Sequence, residues 1–529
     1  AKLHLLLDFF NLPSKAIRQR ALVALVFAAS IYSQRIPIYK KLHTRIAIWL
    51  QDEGITQNLQ NTILQILLTK ETEKIAKKMK EAIPEILKTE ISKDKSFMDL
   101  LSSEGDMSAP HPQWQSLLEN AGFSEKAIEI SKLQMEGGDI FHGTFSQMKN
   151  YPFFDAIENW FLPFYEAEIA SQHNTSSNDL TNEAEAINGS VFLCNSDKYS
   201  MLFALDQLPK NYINMMRETF RIEKEQTDEL KSEEKYKESF SEEKLQTRLY
   251  VQDLFRFYKL YNYKNDFSNP FTSIKDLDKN VLISENPQKR KFLQSIADYY
   301  INKGYFDEAV EILHEVGKCA SSVDVLRKTA YCHQMRGNYR EASKYYEKAN
   351  LTEPGSLWTL QRLAYCAKQC EEFEESIAYY KECASLAPND LQIQASIGYC
   401  QMHLHQHADA LKNFFKVHYL HPEDYKICKA IGWGSFLNNK LEQAETYYGK
   451  CPESALNRYD FMNIAHIMLC RNKTEEATVN YKKAFQLLQS DKKEFTKLFQ
   501  EDATNLVNNG VKAEDISLML DYILYAVER

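Results

Sequence analysis

From its first residues on, this chain places apolar side chains at helical spacing, in blocks separated by short polar breaks. Residues 1 to about 90 predict four or five helices. In "SKAIRQRALVALVFAASIY" Ser14 is the predicted N-cap, and Ile17, Ala21, Leu22, Leu25 and Val26 form one apolar face. "KKLHTRIAIWLQDE" and "ITQNLQNTILQILLTKETEKIAKKMKEAIPEILK" continue the pattern. Met107 to Pro112 predicts a loop. The aromatic run "YPFFDAIENWFLPFYEAEIA" over residues 151–170 predicts the start of a packed helix. "SQHNTSSNDLTNEAEAINGS" (Ser171 to Ser190) predicts a loop on its Ser, Asn and Thr content, and "KYSMLFALDQLPKNYINMMRETF" returns to helix. Arg221 to Arg248 alternates charges at helical distances, as at Glu233 and Lys237. That predicts an exposed helix or hinge, or an acidic binding stretch. "LYVQDLFRFYKLYNYKNDFSNPF" restores aromatic packing up to Asn269-Pro270, the predicted domain boundary.

From about Glu285 the pattern acquires a period. "GYFDEAV", "GNYREAS", "EEFEESI", "HQHADAL", "NKLEQAE" and "NKTEEAT" align on the small residues Ala309, Ala342, Ser376, Ala410, Ala444 and Ala477, with steps of 33, 34, 34, 34 and 33. Twelve residues earlier stand Ala297, Ala330, Ala364, Gly398, Gly432 and Ala465; four later stand Tyr346, Tyr380, Phe414, Tyr448 and Tyr481. Pro354, Pro388 and Pro422 follow three of the units at a twelve-residue distance. Small residues at two fixed places let paired helices approach closely. The aromatic fills the space beside them, and Pro ends the second helix of the unit. A fixed period of this size marks stacked helix hairpins.

Residues 290–485 resemble the tetratricopeptide repeat family in this spacing, with six units visible. Glu371, His405, Asn439 and Asn472 stand where that family has its turn Gly, and the Pro is missing after the first, fifth and sixth units. The resemblance implies an all-α, right-handed superhelical solenoid. Residues 491–527 would form two further helices capping its end. At the other end of the chain, "AIRQRALVALV" resembles the second helix of a HEAT repeat. The expected organisation is an N-terminal helical domain over 1–150 and a helical middle region over 151–284, which holds the loop 171–190 and the charged helix 221–248. An array over 285–490 and capping helices over 491–529 would follow.

In the resembled family the residue after the first small position lies on the concave face, with those four and seven places earlier and three later. Transferred to this sequence, that implies an aromatic ladder of Tyr331, Tyr365, Tyr399 and Trp433, continued by His466. Arg327, Trp358, Gln361, Lys368, Met402, Lys426, Lys429 and Phe436 flank it. Asn is absent from these positions, so the Lys/Asn/Arg clamp by which some members hold acidic chain ends is not predicted. Aromatic side chains with polar tips suit an interface, and they also suit packing along the superhelix alone.

Composition narrows the function. With 64 basic and 73 acidic side chains the net charge is −9, which argues against broad nucleic-acid binding. The 10 cysteines in 529 residues are too sparse for a disulfide scaffold. Cys332, Cys366 and Cys400 recur at the repeat period and read as small buried apolar groups in a reducing, cytoplasmic setting. Cys366 and Cys370 lack a second pair at metal-ligand spacing, and His403, His405 and His407 fall at a helix end and turn, where they diverge, so no metal site and no cofactor is expected. The apolar run Ala21 to Tyr32 is too short for a membrane span. The chain begins at Ala1 without Met, so some N-terminal sequence, which could include a targeting signal, is expected to have been removed. No phosphate loop, nucleophile elbow, metalloprotease helix or dinucleotide fingerprint occurs. Cys194, Ser196, Asp197 and Lys198 in "FLCNSDKYS" have no nearby His in sequence, and no catalytic residue is expected. The expectation is a non-enzymatic scaffold holding a protein or peptide partner in the aromatic groove. The alternatives are a regulatory or sensor subunit, or a fragment, of a larger enzyme or complex, and a self-assembling homo-oligomer.

Overall fold

The computed structural model describes residues 2–78, 80, 133–134, 136–164, 178–205, 220–221, 224–225, 227–228, 241–274, 277–319 and 322–527; among them there are helices and no strands. They form two compact units, Ala1–Tyr299 and Tyr300–Arg529. The loop expected at Met107 to Pro112 and the pair Glu233 and Lys237 lie outside the described residues.

The first unit contains α1 (Lys2–Phe10), α2 (Lys15–Ile31), α3 (Lys40–Trp49), α4 (Glu53–Leu68), α5 (Asn178–Gly189), α6 (Asn195–Leu205) and α7 (Glu242–Leu260), and most of α8 (Lys289–Asn302). Helix α2 begins as expected: Ser14 caps it by accepting from the Ile17 N–H at 3.5 Å. It packs on α1 and α7, and α4 packs on α7. Ala21, Leu22, Leu25 and Val26 are buried with Val23, Phe27 and Ala29, while Ile17 is exposed. The buried face also holds a polar residue that apolar spacing misses. Gln19 accepts a 3.0 Å bond from the Thr247 hydroxyl on α7.

Two expectations fail in this unit. Residues 178–189, expected as loop, form α5, with Ala184 and Ile187 buried three residues apart on one face; that apolar pair and the Glu/Ala-rich run outweigh the turn-like composition of the segment. The aromatic run expected to start a helix instead forms two 3₁₀ turns, Pro152–Asp155 and Ile157–Trp160. They pack Phe154 and Trp160 with Phe145, Phe164, Tyr199, Phe257 and Tyr261 in one core cluster. The Trp160 indole donates to the Phe154 carbonyl at 2.8 Å, so burying its polar edge costs little.

The second unit is a helical-repeat solenoid. After α9 (Phe306–Cys319) come five hairpins: α10/α11 (Val323–Met335, Tyr339–Thr352), α12/α13 (Leu357–Gln369, Phe373–Leu386), α14/α15 (Leu391–His403, His407–Leu420), α16/α17 (Tyr425–Leu437, Leu441–Gly449) and α18/α19 (Arg458–Cys470, Thr474–Leu487). Each second helix packs on the first helix of the next hairpin, and α9 packs on α10. Beyond the array lie α20 (Lys492–Glu501), the short helix Ala503–Asn508 and α21 (Ile516–Val527).

Each hairpin is built from the same local parts. Ser322, Ser356, Asp390, Asp424 and Asn457 cap the first helices, each side chain accepting from backbone N–H groups of the first turn. The turns are closed by left-handed residues at Gly304, Gly337, Glu371, His405, Asn439 and Asn472, with φ of +78°, +76°, +63°, +56°, +56° and +60°. Behind them run the six-to-one bonds of a Schellman motif, such as Glu372 N–H to Ala367 O at 2.9 Å and Gln406 N–H to Gln401 O at 2.9 Å. The substitutions for Gly noted in the sequence therefore change the residue and keep the conformation.

The small positions are where helices touch. A Cβ on Gly398 would lie 2.6 Å from the Phe414 ring, and one on Gly432 would lie 2.6 Å from the Tyr448 ring. The Ser376 hydroxyl donates to the Ala364 carbonyl at 2.8 Å. Cys332, Cys366 and Cys400 are fully buried beside them. Pro354, Pro388 and Pro422 directly follow the C-caps of α11, α13 and α15. The fifth unit departs from this: α17 stops after 9 residues against the usual 14, and Cys451-Pro452 leads into a 3₁₀ turn.

Candidate interaction surface of the repeat array

The first helices carry the predicted ladder at one residue per hairpin. Tyr331 on α10, Tyr365 on α12, Tyr399 on α14 and Trp433 on α16 are all half-buried. Each rests edge-on or stacked against one other ring: Tyr331 on Phe306 at 6.2 Å, Tyr365 on Tyr339 at 6.0 Å, Tyr399 on Phe414 at 5.1 Å and Trp433 on Phe436 at 5.1 Å. One side of each ring is thus held and part of it stays accessible. Trp358, at the start of α12, is 41% exposed and leans on Tyr346 at 5.7 Å. Met402 is half-buried at the end of α14.

The flanking polar positions divide into two groups. Arg327, Gln361 and Lys429 occupy equivalent places on α10, α12 and α16, and all three reach the next hairpin. The Arg327 Nε donates to Thr359 at 2.9 Å, and its Nη1 pairs with Glu353 at 3.2 Å. Gln361 donates to the capping Asp390 at 3.4 Å. Lys429 pairs with Asp460 at 2.8 Å and donates to the Ala455 carbonyl at 3.0 Å. These three side chains are ties between repeats.

Lys368 and Lys426 differ from them. Lys368 Nζ stands 5.7 Å from the Tyr399 ring centre, and Lys426 is exposed. Arg362, one turn after Trp358, lies over that indole at 5.4 Å. Arg362 was missed by the positional transfer; the four-residue spacing from a Trp to an Arg on one helix was the available signal.

Two predicted surface residues are interior. Phe436 and His466 are both 0% exposed. Helices after the array fold back over them: His466 packs on Phe499 at 5.5 Å, its Nδ1 is 2.7 Å from the Tyr481 hydroxyl, and Asn509 donates to the Phe436 carbonyl at 3.1 Å. The predicted ladder therefore ends at Trp433.

The "HLHQH" residues, expected to diverge, do so only in part: His403 stacks on Phe373 at 4.5 Å, whereas His405 in the turn and His407, which opens α15, hold their rings edge-on 5.7 Å apart. Among the described residues no group of His, Cys, Asp and Glu could hold a metal ion, and no helix is long and apolar enough to cross a membrane.

In the first unit, the "FLCNSDKYS" segment opens α6 over a buried charge network. Arg256 makes two bonds to Asp139, at 2.7 and 3.0 Å, and pairs with Asp197 at 2.6 Å; Lys149 pairs with Asp197 at 2.8 Å and donates to Ser200 at 3.0 Å. Asp253 accepts from the Ser196 and Asn195 N–H groups at 2.9 and 3.3 Å, capping α6 from outside. Burial would raise the Asp197 pKa, but Arg256 and then Lys149 outweigh it and hold the carboxyl below its ordinary value. Burial pushes the Cys194 thiol well up, so it is a poor nucleophile. The adjoining cavity, about 10 Å³ beside Gly137, Asp139 and Gln252, has room for no more than a water. This network holds α6 and α7 together.

Residues 359–390 match the family model of the tetratricopeptide repeat. No curated protein matches the sequence. Solved structures titled "MamA RS-1 ArsTM double mutant" and "MamA MSR-1 C2" are 17% identical, over 31% of this chain and 92% and 94% of theirs, with TM-scores of 0.30 and 0.29. "Crystal structure of MamA protein" is 18% identical over 30% of this chain and 88% of its own, with a TM-score of 0.29. The assignment rests on the family match together with the register of caps, left-handed turns and small contacts in every hairpin. Hairpin α12/α13 matches the tetratricopeptide repeat, and the other hairpins of the second unit repeat its caps, left-handed turns and small contacts.

Proposed function

We propose that this protein is an interaction scaffold whose array receives a segment of a partner protein along the first-helix face from α10 to α16. The observation that carries this reading is the row of half-buried aromatics. Tyr331, Tyr365, Tyr399 and Trp433 recur once per hairpin, with Trp358 more exposed beside them. Rings in this state lose little entropy on binding and offer large contact areas with polar tips.

The test is a pull-down from native extract with the wild-type chain and with Trp358→Ala/Tyr365→Ala. Trp433 is left intact because its ring supports the buried Phe436. A protein retained by the wild type and lost from the variant, with helix content and melting unchanged, supports the reading. Identical retention by both moves the function off this face.

A further inference from the structure

We propose that copies of this chain join head to tail, the N-terminal helix of one copy lying along the C-terminal helix of the next. The aromatic row of the array takes no part. Both terminal helices bury one side and expose a second apolar side. On α1, Leu7 and Phe10 are buried, while Leu5 and Phe9, one turn apart, are exposed, as is Leu12 just beyond the helix. On α21, Leu520 and Ile523 are buried, while Leu518, Tyr522 and Tyr525 stand exposed along one face, Leu518 by 70%. That face borders a cleft of about 380 Å³, with Leu518 and Tyr522 on one wall and Leu469, Thr474 and Thr478 of the last hairpin on the other. A helix with apolar residues one turn apart fits such a groove.

Charge selects a second copy as the occupant. Residues 1–50 hold eight Lys and Arg against one Asp, whereas residues 501–529 hold two Lys and Arg against six Asp and Glu. The excess is uncommitted at both ends. Exposed Lys2, Lys40 and Lys41 have no acidic partner among the described residues, and exposed Glu514 and Asp521 have no basic one. Lys2 lies one turn before Leu5, and Lys41 lies one turn before Arg45, which pairs with Asp8 of α1. Asp521 shares the exposed face of Leu518 and Tyr525. Each apolar stripe thus carries the charge that complements the other. The two faces differ, so the contact is heterologous, and successive copies extend a chain or close a ring.

The experiment is sedimentation velocity of the full chain from about 1 to 100 µM at low and high salt. At low salt the mass should rise with concentration beyond that of a dimer; high salt should return it toward the monomer. Leu5→Glu/Phe9→Glu and Leu518→Lys/Tyr522→Lys should each stay monomeric with melting unchanged. Mixed one to one, they should form a dimer and nothing larger, because each retains the face that the other lacks. Asp521→Lys, which alters charge at an exposed position alone, should weaken association at least about tenfold at low salt, and it carries the test if a double variant melts early. A wild type that is monomeric throughout the range, a double variant that still assembles, a mixture that stays monomeric, or an Asp521→Lys chain that assembles like the wild type would overturn the inference. So would a monomeric wild type that binds vesicles of anionic lipid through Leu5 and Phe9, which would give the N-terminal face to a membrane.

Discussion

Arg256 meets Asp139 across 117 residues of chain, whereas Ser376 meets Ala364 across 12. The two contacts typify their units. The first unit is tied by buried charges and packed aromatics far apart in sequence; the second repeats one short-range contact in every hairpin. The difference sets how each unit fails. A network of buried charges is all-or-none, because removing one member leaves the others desolvated and unpaired. A solenoid is closer to a sum of neighbouring terms, so damage to one hairpin spreads mainly to the next.

The sharpest test of that contrast is Arg256→Met. It strands Asp139 in the interior, leaves Asp197 with Lys149 alone, and should cost the first unit about 3–5 kcal/mol. Hydrogen exchange should rise together across α2, α6 and α7. Adding Asp139→Asn should recover much of the loss, because Asp197 keeps Lys149 as its partner. A single variant that costs under about 1 kcal/mol would mean that water already screens the network.

The counterpart in the array is Gly432→Ala. The new methyl meets the Tyr448 ring at 2.6 Å, and overpacking of this kind costs about 1–3 kcal/mol. Exchange should rise in α16, α17 and α18 while α10 and α11 keep their protection. Loss of protection across the whole array would break the picture of neighbouring terms.

Acid should have a smaller effect, and in both units, because burial also lowers the pKa of His333, His407 and His418 in the array. Burial, and then Arg256, lowers the His142 pKa. The unfolded chain takes up that proton near pH 6.5 and the folded chain only below it. Stability from this group is present above pH 6.5 and declines as pH falls through that value. Asp197, held below its ordinary value, adds a loss at lower pH, as the solution passes below the unfolded carboxylate range near 4 and through the folded pKa. Asp253 works in the opposite direction, since burial raises its pKa and acid relieves its charge. The net expectation is a first unit that melts at lower temperature at pH 5 than at pH 7. Arg256→Met should flatten the part due to His142. A first unit whose melting temperature is the same at pH 5 and pH 7 would remove the expectation.

The same contrast explains what the sequence disclosed. The hairpins were legible because every determinant of a unit lies within one period: the small pair, the aromatic, and the Pro where it occurs. The ladder positions Tyr331, Tyr365, Tyr399 and Trp433 followed from the period and the resemblance. Arg327, Gln361 and Lys429 were expected on the groove, but their bonds run to the next hairpin, and no single unit shows that. Phe436 and His466 were misplaced because the residues covering them, Phe499 and Asn509, lie outside the period altogether. The charge network was hidden for a similar reason. Asp139, Lys149, Asp197 and Arg256 share no local pattern, and helix α5 was hidden by a composition that turns also use.

The smallest effect offers the finest comparison within the array, because six equivalent turns hold four residue types in one conformation. Glu371 and His405 adopt φ of +63° and +56°, where a Cβ crowds the following carbonyl. Gly avoids that strain but costs more entropy on folding, so Glu371→Gly and His405→Gly should each stabilise the array by about 0.5–1 kcal/mol. Asn tolerates the left-handed region, so Asn439→Gly and Asn472→Gly should change stability by less. Denaturant midpoints of the four variants would rank them. A larger gain at Asn439 than at Glu371 would mean that side-chain contacts, not backbone strain, decide these turns. Equal gains at all four would mean that the six turns are interchangeable, and that the array's tolerance of Glu and His reflects spare stability in the Schellman bonds behind them.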